Sequence, residues 1–258
     1  MSELADVWDR RLGQRERADV RDEPELVIEV LGAWTPDGMR IDVLAGSELR
    51  RDPHEGLVLT LAAEFVPGEH GPFGLDHGSI ERQLFLGAGV ARHIRLELPA
   101  YAQQQEKGRR MLGRSVLIYE QLGMTRISLA AVDVGRYVWA ACGFSFTNEH
   151  DRSAVARRLA ELETESGIPI AGADPNTLEP YEIAYAESDE PLPLRDWLEI
   201  LGEHDEYSDE DLDRLVTRPG KLFLLSDRMP GWDGALAIGA AEKTFGYELM
   251  RRYTGLAR

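Results

Sequence analysis

The sequence predicts a mixed fold of the α/β (α+β) class, in which a mostly antiparallel sheet is flanked by helices. Two patterns indicate it: five strand-like apolar segments precede the first strong helix, and helix-like and strand-like segments alternate after it. The chain has 258 residues, of which 43% are apolar. That is enough to bury a sizeable core, and it is too apolar for a disordered polyelectrolyte.

The first half of the chain is predicted to be rich in strands. Residues 1–24 are polar and are read as a lead-in or a short surface helix. Three apolar runs separated by turn-forming stretches follow, and two more come after a loop rich in glycine and proline. These five runs are predicted to be consecutive strands: ELVIEVLGAW, GMRIDVLAG, GLVLTLAAEFV, SIERQLFL and VARHIRLEL.

The next part alternates helices and strands. A helix is predicted over residues 108–122, where an apolar stripe ends before Gly123; the stripe comprises Met111, Leu112, Val116, Leu117 and Tyr119. A strand (MTRISLAAV), a short helix at 135–141, a strand (GFSF) and an amphipathic helix at 151–165 follow. The last helix is expected to bury Val155, Leu159 and Leu162.

The remainder is predicted to form two helices (LPLRDWLEILGE and SDEDLDRLV), two strands (KLFLLSD and WDGALAI) and a closing helix (AEKTFGYELMRRY). The predicted organisation is a lead-in at 1–24, a core at 25–148, a helical acidic region at 149–216 and an ending at 217–258. The acidic region is an insertion or an extension. The ending is expected to complete the core.

The formal net charge of −17 narrows the classes of partner. The segment 179–213 carries 14 acidic residues and one basic residue, so it supplies most of this charge. Such a surface repels phosphate backbones and anionic lipid, which argues against nucleic acid and membrane as partners. No apolar run is long enough for a bilayer span and no signal-peptide pattern is present, so a cytoplasmic location is expected.

No cysteine or histidine pattern suggests a metal site. The only cysteine, Cys142, cannot form an intrachain disulfide, and the six histidines are scattered without an HExxH motif. We therefore expect no metal. Cys142 is read most simply as a small buried hydrophobic residue rather than as an acyl-carrying nucleophile.

The most informative segment is residues 90–146. A strand ending near Pro99 leads into the loop QQQEKG at 103–108, which opens a helix; a further strand, a short helix and the pair Gly143-Phe144 follow. This order and spacing resemble the GCN5-related N-acetyltransferase (GNAT) superfamily. The resemblance covers about a fifth of the chain, and it implies a GNAT-like core that uses acetyl-CoA or a related acyl-CoA as co-substrate.

The resemblance implies a pyrophosphate site at the loop and the helix it opens, formed by Gln103, Gln104, Gln105, Lys107, Gly108 and Arg109. Unpaired N–H groups and the dipole at a helix N-terminus favour an anion there. The resemblance also implies a bulge near Pro99 at the end of the strand, where main-chain N–H groups around Leu98 are expected to bind the acyl carbonyl. Glu106 stands where the family has glycine; at about 4 Å from a phosphate, its charge costs on the order of 4 kcal/mol unless Lys107 and Arg109 offset it.

Candidates for proton transfer follow from the strand and the short helix. Period-two alternation predicts that Ile94, Leu96 and Leu98 face the core, whereas His93, Arg95 and Glu97 form a polar face. The resemblance implies that His93 or Glu97 acts as the base; the alternative is a solvated strand face with local ion pairs. Trp139 occupies the position of the family's acid tyrosine, so Tyr137 is the nearest substitute and Trp139 is read as core or cleft wall.

Two functions remain open from the sequence. The first is an N-acyltransferase that moves an acetyl group from acetyl-CoA to the amine of a cationic small molecule or protein. The second is a catalytically degenerate GNAT scaffold, an interaction or regulatory protein whose acidic region binds a basic partner. The oligomeric state is also open, a homodimer included.

Overall fold

The computed structural model describes most of the chain outside several loops and the centre of the acidic segment. The described residues are 13, 17–21, 24–32, 39–67, 77–98, 107–133, 135–167, 176–188, 217–226, 228–239 and 244–256. Within these ranges the fold is mixed α/β, with nine strands in a mostly antiparallel arrangement and seven helices. None of the described helices is long and apolar enough to cross a membrane.

The described residues cluster into two compact units. The first lies within 1–129, 237–244 and 251–258, and the second within 130–236 and 245–250.

The first unit is a sheet with two helices. Its strands are β1 (Arg17–Asp19), β2 (Met39–Val43), β3 (Glu48–Asp52), β4 (Gly56–Pro67), β5 (Gly78–Phe85), β6 (Val90–Glu97) and the first part of β7 (Arg126–Ala131). Their order is β1-β3-β4-β5-β6-β7, and β2 also pairs with β4. All these pairings are antiparallel except that of β6 with β7, which is parallel.

The core of the first unit lies on one face of this sheet. Alternate residues of β4 and β5 are buried there, as period two requires: Leu59, Leu61, Ala63, Phe65, Ile80, Arg82 and Leu84. The helices are α1 (Pro24–Val30) and α2 (Lys107–Gln121). Helix α2 buries most of the predicted stripe, whereas Leu117 is 42% exposed. The Ser115 hydroxyl of α2 donates a 2.9 Å hydrogen bond to the carbonyl of Leu31, just after α1.

The second unit is mainly helical. It contains α3 (Gly135–Ala141), β8 (Ser145–Phe146), α4 (Glu149–Ser166), α5 (Pro180–Ala184), α6 (Pro219–Leu225), β9 (Trp232–Ala237) and the first part of α7 (Phe245–Thr254). Strands β8 and β9 pair antiparallel. Asn148 caps α4 by accepting a hydrogen bond from the Asp151 N–H, and Gly167 ends it in the left-handed conformation.

Most predicted elements in the described ranges are confirmed, including the order strand, helix, strand, short helix, strand over 90–146. Helix α4 buries Val155, Leu159 and Leu162, as expected. The structure also adds β1, β3 and α5, which were not predicted. The two predicted helices LPLRDWLEILGE and SDEDLDRLV lie outside the described residues.

Two predicted strands are wrong. ELVIEVLGAW contains α1, and KLFLLSD contributes to α6. Each helix begins with a proline at its first position, Pro24 or Pro219, where the fixed φ favours a helix start. Burial at α1 follows helical spacing, with Val27, Val30 and Leu31 buried. Helix α6 is buried over most of its length, Leu222, Phe223 and Leu224 included.

Candidate functional site

The candidate site lies where β6 ends and α2 begins, within the first unit. The parallel pairing of β6 with β7 runs from Val90↔Arg126 to His93↔Leu129 and stops there, although β6 continues to Glu97. A Cβ built on Gly108, in the first turn of α2, would lie 3.2 Å from Leu98 Cδ1. The helix start is therefore packed directly against the end of β6.

A register shift interrupts β6 four residues before Leu98. Arg82 of β5 pairs with His93, but the preceding Glu81 pairs with Arg95, so Ile94 is an extra residue in the strand. Such a bulge reverses which residues face the core. The predicted alternation is wrong at this point: His93 is 4% exposed and faces the core, whereas Ile94 is 45% exposed.

The other residues of this strand segment fit the prediction better. Arg95 and Glu97 are exposed, as expected for a polar face. Leu96 and Leu98 are half-buried rather than fully buried. The bulge predicted near Pro99 falls on a residue outside the described ranges; the described bulge lies at Ile94.

His93 is part of a buried polar cluster with Arg82 and Tyr119. His93 Nε2 lies 3.1 Å from the Tyr119 hydroxyl, and their rings meet edge to face. Arg82, 2% exposed, donates from Nη1 to the carbonyls of Glu81 at 2.9 Å and Arg95 at 2.5 Å. The Tyr119 hydroxyl also bonds the Arg82 side chain.

Burial controls the protonation of this cluster. Desolvation lowers the pKa of His93 well below its ordinary value, and the neighbouring Arg82 charge lowers it further. Burial likewise raises the pKa of Tyr119. His93 is therefore a neutral imidazole at neutral pH, and it faces the core rather than a solvated substrate.

The first turn of α2 is cationic. Lys107, Arg109 and Arg110 lie in it with Gly108, and its described residues include no acid. The Arg109 guanidinium carbon lies 5.2 Å from the centre of the Tyr253 ring. The N–H groups of a helix start, the helix dipole and these cations together favour a bound anion. Gln103, Gln104, Gln105 and Glu106 lie outside the described residues.

Tyr137 belongs to the second unit, on α3. It is half-buried, and the Lys221 ammonium lies 5.1 Å from its ring centre. Burial raises the pKa of Tyr137, while the charge of Arg218 and a hydrogen bond from it act in the opposite direction. The remaining described candidates all belong to the first unit.

Trp139 of α3 and Cys142, in the turn after α3, were the other two residues that the sequence singled out in this part of the chain. Trp139 packs edge-on against Phe144, with ring centres 5.4 Å apart. Cys142 is fully buried, which confirms its reading as a small buried residue. In the part of the chain that the structure describes, no group of three or more His, Cys, Asp or Glu side chains is arranged to hold a metal ion.

Sequence reasoning missed Arg82 and the polar role of Tyr119. A signal for Arg82 was available, because it shares the inward parity of Ile80 and Leu84 in SIERQLFL. Tyr119 was read only as part of the apolar stripe. Neither its partner nor the bulge is encoded locally.

Comparisons of the chain with protein-family models, curated proteins and solved structures found no match. The functional inference therefore rests on the site.

Proposed function

We propose that the protein is an acyl-CoA-dependent N-acyltransferase with a divergent GNAT core, and that it transfers an acetyl group from acetyl-CoA to an amine of a cationic small molecule or protein. One observation carries the proposal. The parallel pairing of β6 with β7 stops at His93, and the strand then continues to Leu98, which lies against Gly108 in the cationic first turn of α2. A strand edge with no pairing partner among the described residues thus leads to a helix N-terminus.

The strand edge suits the extended pantetheine arm of coenzyme A. Residues 95–97 keep their partners on β5, but no described residue pairs with them on the opposite edge. Main-chain N–H and C=O groups on such an edge bind an extended amide chain as an added strand does. In the proposal, a main-chain N–H group of residues 95–97 on this edge binds the thioester carbonyl.

The first turn of α2 suits the pyrophosphate. Its N–H groups are not used within the helix, and Lys107, Arg109 and Arg110 supply positive charge. By the charge argument from the sequence, these cations would offset the repulsion from Glu106, which lies outside the described residues. Arg109 keeps its cation–π contact with Tyr253, which limits the orientations that its guanidinium samples.

In the proposed reaction, the amine nitrogen attacks the thioester carbonyl carbon. The new C–N bond forms, the C–S bond breaks, and the ammonium proton passes to a base. Glu97 is the better candidate for that base, because it is exposed, whereas His93 is buried. Tyr137, the donor that the resemblance implies for the leaving thiolate, belongs to the second unit and is not part of the mechanism proposed at this site. The negative charge of the chain, concentrated in 179–213, favours a cationic acceptor.

A thiol-release assay tests the proposal, with acetyl-CoA as donor and spermidine or a lysine-rich peptide as acceptor. Wild-type protein is expected to release coenzyme A only when an amine is present. Glu97→Gln should lower the turnover number by about 100-fold or more, because a general base contributes at least that much. The matched control, Glu55→Gln, alters an exposed carboxylate in the turn before β4 and should keep wild-type turnover.

A second function is favoured by the buried position of His93 and by Trp139 at the acid position. In it, the same scaffold binds a basic partner without turnover. Binding of acetyl-CoA with no thiol release for either class of amine would favour this alternative. Equal turnover by Glu97→Gln and wild type would remove Glu97 from the mechanism.

A further inference from the structure

The bulge of β6 is held by a side chain that the sequence resemblance did not single out. Ile94 is the extra residue, so the backbone between His93 and Arg95 leaves the regular hydrogen-bond ladder with β5. Carbonyl groups at such a point need other donors when they are buried. Arg82, on the neighbouring strand, provides one.

Arg82 bridges the two strands across the bulge. Its Nη1 donates both to the carbonyl of Glu81, on its own strand, and to the carbonyl of Arg95, one residue beyond the bulge on β6. Hydrogen bonds from a charged donor are stronger than neutral ones. The guanidinium therefore fixes the peptide group between Arg95 and Leu96, and with it the direction of β6 toward Leu98.

The environment of Arg82 favours a role beyond packing. The side chain is 2% exposed, and no acidic side chain among the described residues pairs with it. An arginine buried without a carboxylate is costly, and this one bonds main-chain carbonyls and the Tyr119 hydroxyl instead. Tyr119 also bonds His93, so α2 braces the strand on the other side of the bulge.

We propose that Arg82 is a positioning residue for acyl transfer: its guanidinium holds the bulge of β6, and thereby the main-chain N–H groups that bind the thioester carbonyl. The inference rests on the proposed function. Arg82 does not touch the substrate, and it acts through the backbone of residues 94–98.

The test measures two properties of each variant: its affinity for the cofactor and the polarisation of the acetyl carbonyl in bound acetyl-CoA. Calorimetry measures the affinity for coenzyme A and for acetyl-CoA, and infrared difference spectra with a ¹³C-labelled acetyl carbonyl report the hydrogen bond to that carbonyl. Wild type is expected to lower the carbonyl stretching frequency relative to free acetyl-CoA. Arg82→Met should return the frequency toward the free value and cost about fivefold in acetyl-CoA affinity, the worth of one hydrogen bond, with coenzyme A affinity unchanged.

Two further variants separate positioning from stability. Arg82→Lys keeps the charge but lacks the planar guanidinium that bonds both carbonyls and the Tyr119 hydroxyl in a fixed geometry, so an intermediate frequency is expected, even if Arg82→Met does not fold. Leu49→Ala removes a fully buried side chain of β3, away from the bulge, and should destabilise the fold while keeping the wild-type frequency.

Each contrary outcome is distinct. No binding of acetyl-CoA by wild type would defeat the proposed function itself. Binding without a carbonyl shift in wild type, a wild-type frequency in both Arg82 variants, or an equal loss of the shift in Leu49→Ala would overturn the role of Arg82 and leave acetyl-CoA binding intact.

Discussion

The buried position of His93 predicts a specific dependence of stability on pH. Its pKa is held well below the ordinary value of 6.5 by burial and by Arg82, so the folded protein binds fewer protons at this site than the unfolded chain does. Stability then rises with pH wherever the two states differ. The contribution is fully present above about pH 6.5 and is lost as the pH falls toward the folded pKa.

The magnitude follows from proton linkage. Below the unfolded pKa, one proton taken up only by the unfolded chain costs about 1.4 kcal/mol per pH unit. Between about pH 6.5 and about pH 5 the loss is about 2 kcal/mol. Other groups with shifted pKa values affect stability in other pH ranges or in the opposite direction. Asp52, with a pKa of about 2, contributes to the pH dependence of stability only at lower pH. Burial raises the pKa of Glu179, which makes stability fall with rising pH.

A comparison with His93→Gln isolates the histidine, because the other groups are common to both proteins. Urea unfolding at about pH 7 and about pH 5 should show wild type losing about 2 kcal/mol more than the variant. His150→Gln, which changes an exposed histidine on α4, should keep the wild-type dependence. An identical pH dependence in wild type and His93→Gln would refute the buried, neutral state of His93.

Two further predictions concern packing and the anion site. Gly143→Ala should lower the unfolding free energy by about 2–5 kcal/mol, because its φ is +84° and a Cβ would lie 2.3 Å from the Gly246 carbonyl oxygen. Gly167→Ala, at φ +73° with no atom within 4 Å, should cost only about 1–2 kcal/mol by urea unfolding; equal losses would contradict the contact. Arg109→Gln should raise the Kd for acetyl-CoA about tenfold at low salt, and less at high salt, by calorimetry. The matched variant Arg157→Gln, on the exposed face of α4, should leave the Kd unchanged. Equal increases in Kd for the two variants would contradict phosphate binding at Arg109.

The order of elements around the site was predictable because each has a local signature. Helix α2 carries an apolar stripe and ends before Gly123, and α3 lies where it was expected. The run ELVIEVLGAW was wrongly predicted to be a strand, since short apolar runs fit either a strand or a helix. Pro24 and the spacing of Val27 and Val30 were the available signals for a helix.

The interior of the site was less accessible to sequence reasoning. The alternation through His93 and Ile94 fails because a bulge depends on the pairing with β5, which the sequence of β6 alone does not encode. The inward parity of Arg82 was visible in the sequence, but its hydrogen-bond partners were not. A charged residue at an inward position is ordinarily assigned to the surface, and here its partners are carbonyls brought together only by the fold.

Hydrogen–deuterium exchange of the wild-type protein with and without acetyl-CoA tests the central claim most directly. If the cofactor lies along the edge of β6 opposite β5 and at the start of α2, peptides covering residues 94–98 and 107–110 should exchange more slowly when it is bound. Unchanged exchange in both segments at saturating acetyl-CoA would contradict the proposed site.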